Sequence, residues 1–289
     1  MRVDNAIIMA AGTSSRFAPL SFEKPKALIE VKGEILIERQ IKQLKEAGIK
    51  EIHIITGYKS EQLEYLRDKF AVNLIKNPEF ETRNNNGSVY AARAVLKNSY
   101  LCSADDYFVS NPFETEVDEA YYAAVYAEGN TDEWCITEDN QGYISSVQVG
   151  GEKAWYMLGH TFWSEDFSKR FLSILEKEYC CPDTVGKLWE SIFLANTDKL
   201  KMKVRKYPPD VIYEFDSLDE LRLFDQSYIS NTRSRIIKSI TRTLSAQEAE
   251  IRSIKPLNKD GLSAIGFSFE CKHHHYLYNY QAESIEELL

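Results

Sequence analysis

The sequence predicts an α/β protein. Across the first 110 residues, short apolar segments with the composition of buried strands alternate with amphipathic stretches. The connections between them are short, and the first apolar run ends in a loop of small residues. Alternation with short links is the pattern of βαβ units and hence of a mostly parallel sheet.

Taken in order, residues 6–11 (A-I-I-M-A-A) are continuously apolar, as expected of a strand covered on both faces. Residues 35–47 place apolar side chains at 37, 41 and 44 on one helical face and end at Gly48. Residues 51–57 read as a strand and a stop. Ser60 is expected to cap a helix through Phe70, with Glu61 in its first turn. Residues 72–75 give a third strand, 87–94 a helix, and 100–104 a fourth strand running into Asp105-Asp106. From about 117 to 215 strand signals dominate: 120–126, 134–137, 144–149 and 157–163, separated by Gly, Asn and Asp turns. Ser164 should cap a helix to Glu178, and a further helix should cover 184–194. Residues 204–207 read as a last strand, and 212–216 lead into a helix from Ser217. Beyond 229 come a basic helical stretch, 231–242, and two alternating strands around a Gly-containing turn within 251–280.

The 289 residues suffice for one large domain, or one domain with an appendage. A net charge of −9 argues against a general nucleic-acid binder, which needs a basic face. No apolar run approaches the ~20 residues that span a bilayer, so no membrane insertion is expected. The N-terminus runs directly into the first strand without a secretory pattern, which leads us to expect a cytoplasmic protein. Five cysteines without C-x-x-C spacing read as reduced thiols and argue against zinc. His273-His274-His275 lies in a strand-like stretch, where neighbours point to opposite faces and do not converge on one metal.

The chemistry begins at the end of the first strand. Gly12, Thr13, Ser14 and Ser15 after Ala10 and Ala11 are small, so main-chain N–H groups can approach a phosphate. Arg16, and Lys26 after Pro25, add two cations. Neither G-x-x-x-x-G-K-[ST] nor G-x-G-x-x-G is present. A loop made this way suits a polyphosphate.

The run Ala10-Ala11-Gly12-Thr13-Ser14-Ser15-Arg16-Phe17…Lys24-Pro25-Lys26-Ala27-Leu28 resembles the nucleotidyltransferase signature, A-A-G-x-G-[ST]-R-hydrophobic…P-K-[AP]-[LM]. That family makes nucleoside-diphosphate sugars and alcohols from an NTP and a phosphorylated partner, with release of pyrophosphate. The family usually has a second glycine where this chain has Ser14, and a serine fits there only with a negative φ. The resemblance implies a Rossmann-like fold with a central mixed, mostly parallel sheet and helices on both faces. It further implies a transferase domain over 1–228 (nucleotide half about 1–115, acceptor half about 116–228), with 229–289 as a small C-terminal appendage.

Asp105 follows the fourth strand, where ligands of open α/β sheets bind. Ser103-Ala104-Asp105 fits the family pattern there, whereas Asp106 should point elsewhere in extended backbone. Asp105 and Asp216 are the expected Mg²⁺ ligands, the ion keeping waters and phosphate oxygens as its others. Asp216 could instead cap the helix that follows it, as could Ser217.

Ile54-Ile55-Thr56-Gly57-Tyr58, Asn84-Asn85-Asn86-Gly87-Ser88, Ala104-Asp105-Asp106-Tyr107-Phe108, Asp132-Glu133-Trp134 and Ile212-Tyr213-Glu214-Phe215-Asp216-Ser217 narrow the resemblance to the CTP:phosphocholine cytidylyltransferase branch. This implies CTP and phosphocholine as substrates, with CDP-choline and pyrophosphate as products. A trimethylammonium group is best held by aromatic faces beside carboxylates. Asp132, Glu133, Trp134, Trp189, Glu190, Tyr213 and Glu214 can supply those groups, although large aromatics also serve as core. The relatives carry an aromatic where this chain has Leu188. Asn85, Gly87 and Ser88 are the expected readers of the pyrimidine, which rests on the resemblance.

Two rival readings stay open: transfer to another phosphorylated partner (phosphoethanolamine, glycerol phosphate, an aminoalkylphosphonate or a sugar 1-phosphate), or a non-catalytic nucleotide-sensing subunit. The tail faintly resembles the first hairpin of choline-kinase-like domains. It is expected to be a remnant or packing appendage whose removal leaves turnover largely intact.

Overall fold

The first apolar run folds as expected, with Ala6, Ile7 and Ile8 fully buried. The structure, a computed structural model, describes residues 1–258 and 264–288. Its chain forms two compact units, Met1–Gly12 with Ile37–Glu214, and Thr13–Leu36 with Phe215–Leu289.

The larger unit holds β1 (Asn5–Ala10), β2 (Ile52–Thr56), β3 (Asn73–Lys76), β4 (Ser99–Ser103), β5 (Asp106–Phe108), β6 (Tyr121–Glu138), β7 (Ile144–Trp163), β8 (Lys203–Tyr207) and β9 (Ile212–Glu214). Seven of them form one sheet in the order β8-β6-β7-β4-β1-β2-β3. β1 pairs in parallel with β2 and β4, β2 with β3, and β8 with β6. The pairings of β7 with β4 and with β6 are antiparallel. The sheet is therefore mixed and mostly parallel, the class the sequence predicts. β5 and β9 form a separate antiparallel pair that sets Asp106 opposite Glu214 and Tyr107 opposite Tyr213.

Helices α1 (Leu36–Glu46), α2 (Tyr65–Phe70), α3 (Asn86–Ala91), α4 (Glu165–Glu178) and α5 (Trp189–Leu194) accompany the strands. Ser164 caps α4 as expected, its hydroxyl accepting from the Phe167 N–H at 3.1 Å. Ile7, Leu101, Trp163, Phe167, Phe171, Trp189 and Phe193 belong to one core cluster. Gly57 is required by close approach: a Cβ there would lie 2.7 Å from the Ala11 carbonyl oxygen and 2.6 Å from the Phe80 ring.

Three expected elements differ. The four strand signals between 120 and 163 merge into the two long strands β6 and β7, because the polar stretch 128–133 is absorbed as bulges rather than as a turn. The helix expected over 60–70 begins as a 3₁₀ turn, Ser60–Leu63, after Lys59 in a left-handed conformation, and Ser60 makes no side-chain cap. The helix expected over 184–194 is a short turn at Pro182–Val185 and then α5, with Gly186 between them.

The second unit contains α6 (Leu218–Phe224), α7 (Arg235–Thr243) and a four-stranded antiparallel sheet. Its strands are β10 (Arg252–Asn258), β11 (Ala264–Cys271), β12 (His274–Asn279) and β13 (Ser284–Leu288), in that order. Two more strands form than the alternation within 251–280 predicts, and the expected Gly-containing turn lies outside the described residues. Helix α7 starts later than residue 231 because the Asn231 side chain accepts from the Arg233 N–H at 3.1 Å and the Ser234 hydroxyl caps Ile237 at 3.0 Å. Ala18 joins Ile237, Ile240, Ile251, Phe267, Phe269 and Cys271 in this unit's core. The division between units thus does not fall at 228/229: the tail shares a core with the signature segment. Among the described residues, no helix is long and apolar enough to cross a membrane.

Candidate active site

In the second unit, the signature loop turns through Ser14 and then a 3₁₀ turn at Ser15–Phe17, whose Phe17 is 1 % exposed and anchors it. Ser14 has φ 48° and ψ 44°. This corrects the expectation of a negative φ: the backbone here has the left-handed shape that favours glycine, and serine tolerates it at a cost of about 1–2 kcal/mol.

Two cations project from this segment onto one acid. The Arg16 guanidinium, its side chain 74 % exposed, lies 2.6 Å from Asp216 Oδ2. Lys26 Nζ, on a side chain only 6 % exposed, lies 3.3 Å from Asp216 Oδ1. The alternative role of Asp216 as helix cap goes to Ser217, whose hydroxyl accepts from the Glu220 N–H at 3.2 Å. Asp216 is therefore an anionic hub for two lysine and arginine charges. A phosphate arriving at those charges is chemically equivalent to that carboxylate and can exchange with it.

Oxygen donors of this kind suit a hard divalent cation. Among the described residues, no cluster of three or more His, Cys, Asp or Glu could hold a metal unaided. Asp105 belongs to the other unit, half-buried in the turn between β4 and β5.

The asparagine run does structural work. Asn84 N–H donates to the Val185 carbonyl at 3.1 Å, and Asn86 Nδ2 donates to the carbonyls of Thr184 at 3.0 Å and Lys187 at 2.5 Å. Asn85 Oδ1 accepts from the Trp189 N–H at 2.7 Å, and its Nδ2 donates to Glu190 Oε2 at 3.0 Å. Ser88 accepts from Asn77 at 3.3 Å. A Cβ at Gly87 would sit 3.2 Å from Arg83, so that glycine answers a packing need. The amides are consumed in fixing residues 184–190, and through them Glu190.

Glu190 has an unusual carboxyl. Burial pushes its carboxyl up to about 7, opposed by the hydrogen bonds from Asn85 and Tyr122, the latter at 3.4 Å. Burial also raises the Tyr122 phenol, and the charges of Glu190, Asp106 and Glu214 raise it further. Asp106, 1 % exposed on β5 opposite Glu214, thus belongs to the same acidic neighbourhood as Glu190. A turn at 104–105 separates Asp106 from the preceding strand and starts β5 there.

The remaining acceptor residues scatter. Trp134 is half-buried against the core cluster on bulged β6, while Asp132 and Glu133 are exposed on the same strand. Trp189 is 1 % exposed, parallel to Tyr122 at 5.8 Å and edge-on to Trp163 at 5.0 Å. It backs Tyr122 from the core and offers no open face, which corrects its expected place as a cage wall. Tyr213 is half-buried and Glu214 exposed on β9.

Comparison with known proteins agrees with this fold and these motifs. Residues 6–112 match the family model of the MobA-like NTP transferase domain. The chain is 34% identical over 221 residues to the choline-phosphate cytidylyltransferase of Streptococcus pneumoniae, matching 96% of that protein with 76% of its own length. It is 33% identical over 235 residues to the 2-aminoethylphosphonate cytidylyltransferase of Lancefieldella rimae, covering 95% of it with 80% of its own length. Among solved structures, the CTP:phosphocholine cytidylyltransferase of S. pneumoniae superposes with a TM-score of 0.74 at 35% identity, over 78% of this chain and 99% of that one. With the signature loop, the mixed seven-stranded sheet and this coverage together, the chain belongs to the nucleotidyltransferase family, beside its choline-phosphate cytidylyltransferases.

Proposed function

We propose that this enzyme transfers CMP from CTP to phosphocholine, giving CDP-choline and pyrophosphate, with Mg²⁺ as its ion. A phosphate oxygen of the acceptor attacks the α-phosphorus; that P–O bond forms as the bond to pyrophosphate breaks. Such a step needs positioning and charge neutralisation more than covalent catalysis. The main-chain amides of Gly12, Thr13, Ser14 and Ser15, with Arg16, take the β and γ phosphates. Lys26 takes the α-phosphate and stabilises its developing charge. Asp105 and Asp216 are the carboxylates assigned to the ion, which supplies further charge neutralisation when bound.

The observation that carries the acceptor assignment is the set of carboxylates that act on Tyr122: Glu190, which accepts from its hydroxyl at 3.4 Å, and Asp106 and Glu214. Negative charge beside an aromatic ring suits a cationic head group, and Trp134 and Tyr213 offer further aromatic surface. Incubation with CTP, Mg²⁺ and phosphocholine should yield CDP-choline and pyrophosphate in equal amounts.

A second reading has its own support. With Trp189 in the core and Leu188 beside it, fewer aromatic walls are available, and the Glu190 carboxyl can accept hydrogen bonds. A primary ammonium, as in an aminoalkylphosphonate, would use those acceptors. A higher kcat/KM with 2-aminoethylphosphonate than with phosphocholine would favour it.

A further inference from the structure

The segment 13–28 has little regular structure of its own: a three-residue 3₁₀ turn with Arg16, a four-residue helix at Leu20–Glu23 and another 3₁₀ turn from Lys26. Stretches of this kind open locally at low free energy unless held from outside. What holds this one comes largely from beyond residue 228. The Glu23 carboxylate, 10 % exposed, sits at the start of α7. It accepts from the Ser234 hydroxyl, from the Arg235 N–H at 3.0 Å and from the Ile236 N–H at 3.2 Å, with Arg235 Nε at 3.5 Å. An anion at a helix N-terminus is favoured by the unsatisfied N–H groups there. One residue earlier, the Phe22 ring stacks on Tyr280, centroids 3.7 Å apart and planes 4° from parallel. Ala18 is in the core with Ile237, Ile240, Phe267 and Phe269. Downstream, the Glu30 carboxylate pairs with Arg233 at 3.3 Å.

The S. pneumoniae enzyme is matched over 96% of its length by 76% of this chain, so about a quarter of this chain has no counterpart there. The motifs shared with that branch end at Ser217. We infer that residues 229–289 are a positioning clamp on the segment that carries Arg16 and Lys26, acting chiefly through Glu23. This replaces the expectation of a dispensable appendage. It rests on the proposed roles of Arg16 and Lys26, whose placement matters on the ångström scale. Glu23 itself is a positioning residue three positions before Lys26.

The test uses the full chain and Glu23→Gln, which keeps the shape but removes one acceptor and the charge. Hydrogen exchange of amides 13–28, read without substrate, should accelerate in the variant while 37–214 stays unchanged. Added CTP should protect 13–28 in the parent and protect it less in the variant. With whichever acceptor supports turnover, kcat should fall about ten- to a hundredfold while the acceptor's KM is unchanged. Tyr280→Leu should act in the same direction, more weakly. Unchanged exchange at 13–28, or unchanged kcat, overturns the clamp, and so does exchange that rises equally across 37–214. Since the exchange measurements need no acceptor, a failure of the proposed reaction and a failure of the clamp are told apart.

Discussion

The Arg16 guanidinium and the Asp216 carboxylate, far apart in sequence, meet at 2.6 Å. With one partner largely exposed, the pair contributes little to stability. Its consequence is placement: it brings the signature loop to the strand-end acid, with the buried Lys26 on the other carboxylate oxygen.

Lys26→Met keeps the unbranched shape of the side chain, one atom shorter, and removes its charge. We expect kcat/KM for pyrophosphate release to fall about a hundred- to a thousandfold, as for loss of one preorganised donor to developing charge. The thermal midpoint should stay close to that of the parent. Near-parental turnover would take Lys26 out of the α-phosphate role.

Ser14→Gly relieves the left-handed cost of about 1–2 kcal/mol, against about 0.5–1 kcal/mol of extra chain entropy in the unfolded state. The net expectation is stability equal to the parent or higher by up to about 1.5 kcal/mol, with activity retained. Ser14→Val should destabilise, because a β-branched residue is poorly tolerated at φ 48°. Thermal melts of the two variants read this directly.

The acceptor role proposed for Glu190 makes acceptor binding pH-dependent. Its carboxyl is raised by burial to about 7 from an ordinary 4.5, so a proton stabilises the folded form. Its stability contribution is full below pH 4.5 and is lost as pH rises through 7. Binding of a cationic head group runs the other way, since it needs the ionised form. KM for phosphocholine should therefore fall as pH rises through about 7, and Glu190→Gln should remove that dependence while leaving any contribution of the substrate's own phosphate. An identical pH profile in the variant would remove Glu190 from the acceptor site.

Trp134→Ala separates the two acceptor chemistries. A lost cation–π contact is worth about 0.5–2 kcal/mol, so KM for phosphocholine should rise roughly two- to thirtyfold. KM for a primary-ammonium acceptor should move less. Equal effects on both would mean that Trp134 acts as core.

The regular elements of the transferase fold were legible because each was written locally: the apolar run of β1, the Ser164 cap, the stop at Gly57. The Arg16, Lys26 and Asp216 constellation was legible through motif spacing. Pairing information was not. The stretch 128–133 has turn composition, and only the partner strand makes it a bulge. The asparagine run has the composition of a ligand-reading loop, and only the carbonyls of 184–187 show where its amides go. The burial of Asp106 follows from its pairing with β9, and the grip of the tail on Glu23 joins residues too distant for any local pattern to reveal.

The most direct measurement is acceptor-dependent pyrophosphate release from CTP and Mg²⁺, run with the parent chain and with Lys26→Met. Release that requires phosphocholine, forms CDP-choline and collapses in the variant is the expected result. CTP left intact in the presence of phosphocholine, or release as fast in the variant as in the parent, would contradict the account.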